Sequence, residues 1–209
     1  MARPTVRRRK RSEEILESAV AAFGRHGYYG TSMRQIADTI TRTKGSLYYY
    51  FGSKADILFA AHDRALDHML AVLERVEAAG GDPESQLREI VVEHTRAMVD
   101  GFHGTALALE LDALPPERRR RLVAKRDRYE RGLRGILEQG VRAGVFRPFD
   151  ARLAGFTLLG AINWTARWYR PEGDVAPEKL GQLYADLFLD GLCVRAGETH
   201  ATMAIAQGD

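Results

Sequence analysis

Four side chains in the middle of the chain, His94, His103, Glu110 and Asp112, are of the types that hold a divalent metal or move protons in hydrolysis. Their spacing commits them to neither task. A His-Glu-x-x-His pair, a glycine-rich phosphate loop and a Gly-x-Ser-x-Gly turn are all missing from the sequence. His62 and His68 stand six residues apart on a predicted helix and point in different directions. Solvated or singly hydrogen-bonded histidines are the plainer reading. A helical metal-binding or hydrolytic protein using the four residues stays open as the alternative from another class. Cys193 is the only cysteine, so neither a disulfide framework nor a Cys-rich zinc site is available. No enzyme, catalytic residue, metal or cofactor is expected.

A second set of residues suits a different chemistry. Thr43-Lys44-Gly45-Ser46-Leu47-Tyr48-Tyr49-Tyr50-Phe51 gathers small hydroxyls, a lysine and phenols into one short stretch. Leu47 and Phe51, one helical turn apart, can anchor that stretch to a core. Lys44, Ser46, Tyr48 and Tyr49 are then left outward, where they can meet phosphate oxygens and base edges. Tyr50 reads as packing. The charge distribution agrees. The 209 residues carry a formal charge of only +3, but residues 1–54 hold +7 and the remainder −4. A basic head on an acidic body suits a polyanion such as nucleic acid or an anionic membrane surface.

These residues need elements to position them, and the sequence supplies helices. Residues 1–11 are a basic arm, read as either a solubilising tail or a phosphate contact. Ser12 is placed to cap a first helix whose buried face is Ile15, Leu16, Ala19, Val20 and Phe23. Gly27 is placed to end it. Ser32 and Gln35 have capping-box spacing for a second helix, and a third, short one follows from about Thr43. Ser53 caps a long fourth helix to about Glu77. Asp82 and Pro83 open a fifth, to about Phe102. Later helices run from about Glu117 to Ala143, from Asp150 to about Trp168 and from Pro177 to about Leu192. No period-2 strand pattern interrupts them. The expectation is an all-α fold of about nine helices.

The segment around residues 12–60 resembles the TetR/AcrR family of bacterial transcriptional repressors. The residues that carry the resemblance are Ala22-Phe23, Gly27, Thr31 to Ala37, Gly45 to Phe51 and Ser53-Lys54. The resemblance implies a three-helix helix-turn-helix head whose third helix enters the major groove. Thr31, Ser32, Arg34, Thr43, Lys44, Ser46, Tyr48, Tyr49 and Lys54 become the implied DNA contacts. The turn departs from the family pattern at Ile40-Thr41-Arg42, where Arg42 replaces a buried aliphatic. Either its stem covers the core or the turn is distorted. The implied organisation is a basic arm at 1–11, a DNA-binding domain at 12–54, a ligand-binding and dimerisation domain at 55–197 and a tail at 198–209.

The body gives two further expectations. The last two helices offer Leu153, Leu159 and Ile162, then Leu180, Leu183, Tyr184, Leu187 and Phe188, as a face for a homodimer. The alternative is that they only complete the monomer core. The stretch from Ala161 to Gly173, with Glu110, Leu114-Pro115, Arg126 and Tyr129, resembles the family's subgroup that governs fatty-acid or sterol degradation and answers to acyl-CoA thioesters. That resemblance implies an apolar channel for the acyl chain and cations for its phosphates. Phe102, Leu107, Glu110, Leu111, Arg126, Tyr129, Leu133, Phe156, Trp164 and Arg167 are the implied pocket. Arg118 to Arg121 go all around a helix, so most should face solvent and nearby acids. An anionic ligand further requires a local cluster of arginines at one mouth of the pocket.

The function implied is a ligand-responsive repressor that binds a near-palindromic double-stranded DNA operator as a homodimer and is released by a small effector. A ligand-independent DNA binder is the alternative. The most apolar stretch, Leu153 to Trp168, is too short and too interrupted to span a membrane. The N-terminus runs into charges rather than an apolar signal region, so a cytoplasmic protein without a membrane partner is expected.

Overall fold

The computed structural model describes residues 6–40, 44–108, 111–170 and 172–194. Among these the fold is all-α: α1 (Val6–Gly30), α2 (Met33–Thr39), α3 (Lys44–Tyr50), α4 (Lys54–Ala79), α5 (Pro83–Val99), α6 (His103–Ala108), α7 (Pro116–Arg142), α8 (Ala151–Trp168) and α9 (Pro177–Leu192). A short 3₁₀ turn, Leu111–Ala113, lies between α6 and α7. Thr41, Arg42, Thr43 and Glu110 fall outside the described residues, so the expectations resting on them end here.

The helix starts follow from local chemistry. Ser32 and Gln35 form the reciprocal capping box, with the Gln35 N–H donating to Ser32 Oγ and the Ser32 N–H donating to Gln35 Oε1. Ser53 accepts from the Asp56 N–H, Asp82 from the Ser85 N–H, and Asp150 from the N–H groups of Arg152 and Leu153. Each supplies an acceptor to an otherwise orphaned first-turn donor. The start of α1 differs from the expectation. It begins at Val6, ahead of Ser12, and Arg11 pairs with Glu14 on the helix surface. Residues 6–11 therefore belong to the helix and not to a separate arm. Gly27 breaks α1 as expected, at φ 73° and ψ 161°, a conformation that L side chains rarely adopt.

Two larger hydrophobic clusters and a smaller one between them hold the chain together. In the head, Ile15, Ala19, Val20 and Phe23 of α1 meet Ile36 of α2, Leu47 of α3, and Ile57 and Ala61 of α4. In the body, α5 lies centrally against α4, α7, α8 and α9, with Leu87, Ile90 and Val91 buried among Leu73, Leu133, Leu137, Leu158 and Ala185. The third cluster joins Leu58 and Leu66 of α4 to Leu114 and Leu122. Helix α4 contributes to all three, and α6 packs against α1, α4, α5 and α8. Both helices therefore touch the head as well as the body. α7 and α8 form an antiparallel hairpin, and Gly140 admits the Phe146 ring where a Cβ would stand 2.1 Å from it. No helix among the described residues is long and apolar enough to cross a membrane.

Candidate DNA-contacting face and ligand cavity

On the head, the packing of Leu47 and Phe51 against α1 and α4 fixes which side of α3 faces outward. Tyr48 and Tyr49 lie on that outward side, Tyr49 being 67% exposed. The Arg8 guanidinium sits 5.4 Å over the Tyr49 ring, and Tyr50 packs edge-on beneath it. Tyr50 is half-buried, in line with a packing role. Lys44 and Ser46 lie on the first turn of α3. Arg34 is fully outward on α2 and only loosely paired with Asp38, at 3.9 Å. Ser32 is exposed, but its hydroxyl is engaged with Gln35.

Two residues of the expected set have other work. Thr31 is buried, and its hydroxyl donates to the Gly27 carbonyl at 2.8 Å. It secures the α1–α2 turn and does not present itself to a phosphate. The Lys54 ammonium donates to the carbonyls of Tyr28 and Thr31 and lies 4.3 Å over the Tyr28 ring. Burial pulls its pKa down. Lys54 ties the start of α4 to the end of α1, and its charge is spent inside the head.

In the body, α4, α5, α6, α7 and α8 enclose an open cavity of about 720 Å³. Leu107, Arg126, Tyr129, Phe156, Trp164 and Arg167 of the expected pocket line it. Phe102, Leu111 and Leu133 do not. The Phe102 ring packs in the head core under the Arg64 guanidinium, at 4.5 Å. Leu111 packs with the junction cluster, and Leu133 is fully buried in the body core. Helical spacing identifies such residues as inward-facing but does not say which inward surface they meet.

Several lining residues were not foreseen. Leu66, Met69 and Met98 extend the apolar wall. Arg131, Arg134 and Arg152 join Arg126 and Arg167, so five arginines outnumber the two carboxylates, Asp127 and Glu130. Desolvation lowers the pKa of Arg126, as expected for a cation partly removed from water. The i, i+3 spacing of Arg131 and Arg134 is visible in the sequence, but their meeting with Arg152 of α8 is not. By contrast Arg118, Arg119, Lys125 and Arg128 are paired with Asp56, Asp112, Asp63 and Glu74, outside the cavity. That run serves the surface.

His94 is neither solvated nor near a metal set. It is buried, with Nε2 3.0 Å from Asn163 Oδ1 and Nδ1 3.1 Å from the Tyr129 hydroxyl. His103 pairs with Asp100 at 3.0 Å and stacks on His68. Among the described residues no group of three His, Cys, Asp or Glu side chains could hold a metal ion. A second, shallower cavity of about 430 Å³ lies where the end of α1 meets α6 and α8, and Arg167 lines this one too.

The outer face of α8 and α9 carries Leu153, Trp164, Leu183 and Leu187, each more than half exposed. Leu159, Tyr184 and Phe188 are half-buried, with the Tyr184 hydroxyl 3.1 Å from Thr165 Oγ1. Ile162 and Leu180 were expected on this face, and the structure corrects that. Both are buried, Ile162 among the body core residues of the α5 side.

Comparison with known proteins agrees with this architecture. Residues 15–61 match the family described as bacterial regulatory proteins, tetR family, and residues 80–192 match the tetracyclin repressor-like C-terminal domain. The HTH-type transcriptional repressor KstR2 of Rhodococcus jostii is 32% identical over 188 residues, covering 87% of this chain and 91% of its own length. The crystal structure of the TetR-family regulator PfmR from Thermus thermophilus superposes with a TM-score of 0.77 at 38% identity, covering 84% of this chain and 97% of that one. AibR, solved in complex with isovaleryl coenzyme A and operator DNA, superposes with a TM-score of 0.76 at 27% identity, covering 85% and 97%.

Proposed function

Because the chain belongs to the TetR family of bacterial transcriptional regulators and is not an enzyme, we propose that it is a cytoplasmic repressor released from its operator by an acyl-CoA-type effector. The observation that carries this reading is the cavity, whose lining combines apolar side chains with five arginines. An acyl chain fits the first, and the phosphates of coenzyme A fit the second. A purely apolar metabolite would use the apolar lining alone, although five arginines face only two carboxylates there. The AibR complex with isovaleryl coenzyme A supports the same class of ligand.

The repressor acts as a homodimer through the exposed faces of α8 and α9, around Leu153, Leu183 and Leu187. Two α3 helices then read successive major grooves of a near-palindromic site, with Tyr48, Tyr49, Lys44, Ser46 and Arg34 toward the DNA. The basic head supplies the salt-dependent attraction. Release is a population shift. Ligand at Arg167 engages a residue that also lines the cavity against α1, and α4 and α6 carry the change to the head.

The test is direct binding of a panel of acyl-CoA thioesters and the matching free acids, read by quenching of tryptophan fluorescence. Trp164 lines the cavity, so a bound ligand reports there. Saturable binding of thioesters, tighter than of free acids, supports the reading. Absence of binding by every thioester overturns it.

A further inference from the structure

The cavity wall contains one polar line that its apolar and cationic parts do not explain. Tyr129 of α7, His94 of α5 and Asn163 of α8 all line the cavity, and they are hydrogen-bonded in series at 3.1 and 3.0 Å. Tyr129 and His94 are buried. Burial holds the His94 pKa down to about 4, so the imidazole is neutral at pH 7 and has a single N–H. Burial raises the Tyr129 pKa, so its hydroxyl keeps its proton. The phenol therefore donates to Nδ1, and Nε2–H donates to Asn163 Oδ1. The series ends on the Asn163 amide N–H groups, at the cavity surface.

A chain of donors aligned in this way polarises its last member. Its overall charge is zero, which suits a neutral acceptor rather than a carboxylate or phosphate. Arg167 lies one turn beyond Asn163 on α8, with Arg131 on α7, and these take the anionic part of a ligand, while Arg134 is held by Glu130 and Glu138. Leu66, Met69 and Met98 take the chain. The polar line stands between them.

We propose that Tyr129, His94 and Asn163 form a specificity site that holds the thioester carbonyl oxygen of the effector, with Asn163 Nδ2 as the donor and the other two as its positioning residues. The proposal rests on the acyl-CoA reading. It adds that the protein distinguishes a thioester from any amphiphile of equal length and charge that lacks the carbonyl.

The experiment compares dodecanoyl-CoA with S-dodecyl-CoA, the thioether in which the carbonyl is replaced by a methylene. Both are titrated against the full-length protein by calorimetry. The wild type should bind the thioester roughly tenfold or more tighter, as one well-placed hydrogen bond allows. Asn163→Leu should bind both with equal affinity. Tyr129→Phe, which removes the donor to Nδ1, should reduce the preference by costing the thioester more affinity than the thioether. A merely structural role would lower both affinities together and leave their ratio intact. Equal affinity of the wild type for the two ligands, or a full preference retained by Asn163→Leu, overturns the specificity site and leaves the acyl-CoA reading standing. If neither ligand binds, the pair is repeated at the chain length that binds best in the panel, and binding at no chain length overturns the acyl-CoA reading and the site with it.

Discussion

The Nζ of Lys54 lies 2.7 Å from the main-chain carbonyl oxygen of Tyr28, and its second bond, to Thr31, is 2.8 Å. One side chain thus joins the first turn of α4 to the chain that leads from α1 into α2. This tie fixes the start of α4 against the α1–α2 turn. Lys54→Met removes the charge and both of its hydrogen bonds, leaving the Tyr28 carbonyl with only the Thr31 N–H. The cost should be about 1–3 kcal/mol, seen as a lower denaturation midpoint. DNA affinity should fall through loss of head geometry. If Lys54 instead served mainly as a phosphate contact, the variant would keep its stability and lose affinity alone.

Arg167 is the residue shared by the two cavities. Arg167→Ala should leave DNA affinity in the absence of ligand unchanged, because the residue stands on α8 and not on the helices that carry the DNA-facing side chains. It should blunt release, so that several-fold more acyl-CoA is needed to free the same fraction of operator. Titration of a protein–operator complex with ligand reads this directly. A variant that responds like the wild type removes Arg167 from the mechanism.

Two buried histidines give the fold an acid limit. Burial, and to a lesser extent Arg126, pulls the His62 pKa from 6.5 to about 3. Burial pulls that of His94 to about 4. The unfolded chain then binds more protons than the native one wherever the pH lies between the folded and ordinary values. Stability is full above pH 6.5 and is lost as pH falls through the window toward those lower values. Neither nitrogen of His62 has a hydrogen-bond partner among the described residues. His62→Leu should therefore be neutral or stabilising at pH 7 and should flatten the acid loss. Urea denaturation at a series of pH values measures the slope, and an unchanged slope contradicts the assignment.

The faces of α8 and α9 separate assembly from folding. Leu187 is 62% exposed, whereas Leu180 is 5% exposed. Leu187→Glu should shift sedimentation toward the monomer with helix content intact. Leu180→Ala should instead destabilise the monomer by about 2–5 kcal/mol. A monomeric wild type, or a Leu187→Glu variant that stays dimeric, would remove this face as the interface.

Much of the fold was legible because caps are local. Ser32 with Gln35, Ser53, and Asp82 with Pro83 act within four residues of themselves, and the sequence displays that whole interaction. Ser12 misled for the same reason. It is a competent cap, but the arginine-rich turn before it has sufficient helix propensity to continue. The sides of a helix were harder to assign. The apolar spacing of α8 contains both Ile162, which faces the core, and Trp164, which lines the open cavity and is largely exposed, and periodicity alone does not say what each meets. Of the cavity, Leu107, Tyr129, Phe156, Trp164, Arg126 and Arg167 were legible, and Arg131, Arg134 and Arg152 were not. His94 and Asn163 were not, because a polar residue shows its burial only through partners on other helices.

The central claim is that an acyl-CoA weakens the grip of the protein on DNA. The most direct measurement is fluorescence anisotropy of a labelled duplex, selected from random sequence by the protein itself, titrated with protein at fixed salt with and without dodecanoyl-CoA. The Kd should rise by about 5–150-fold when ligand saturates, the range expected for allosteric coupling of this kind. A Kd that stays constant while calorimetry shows the thioester bound would contradict the account.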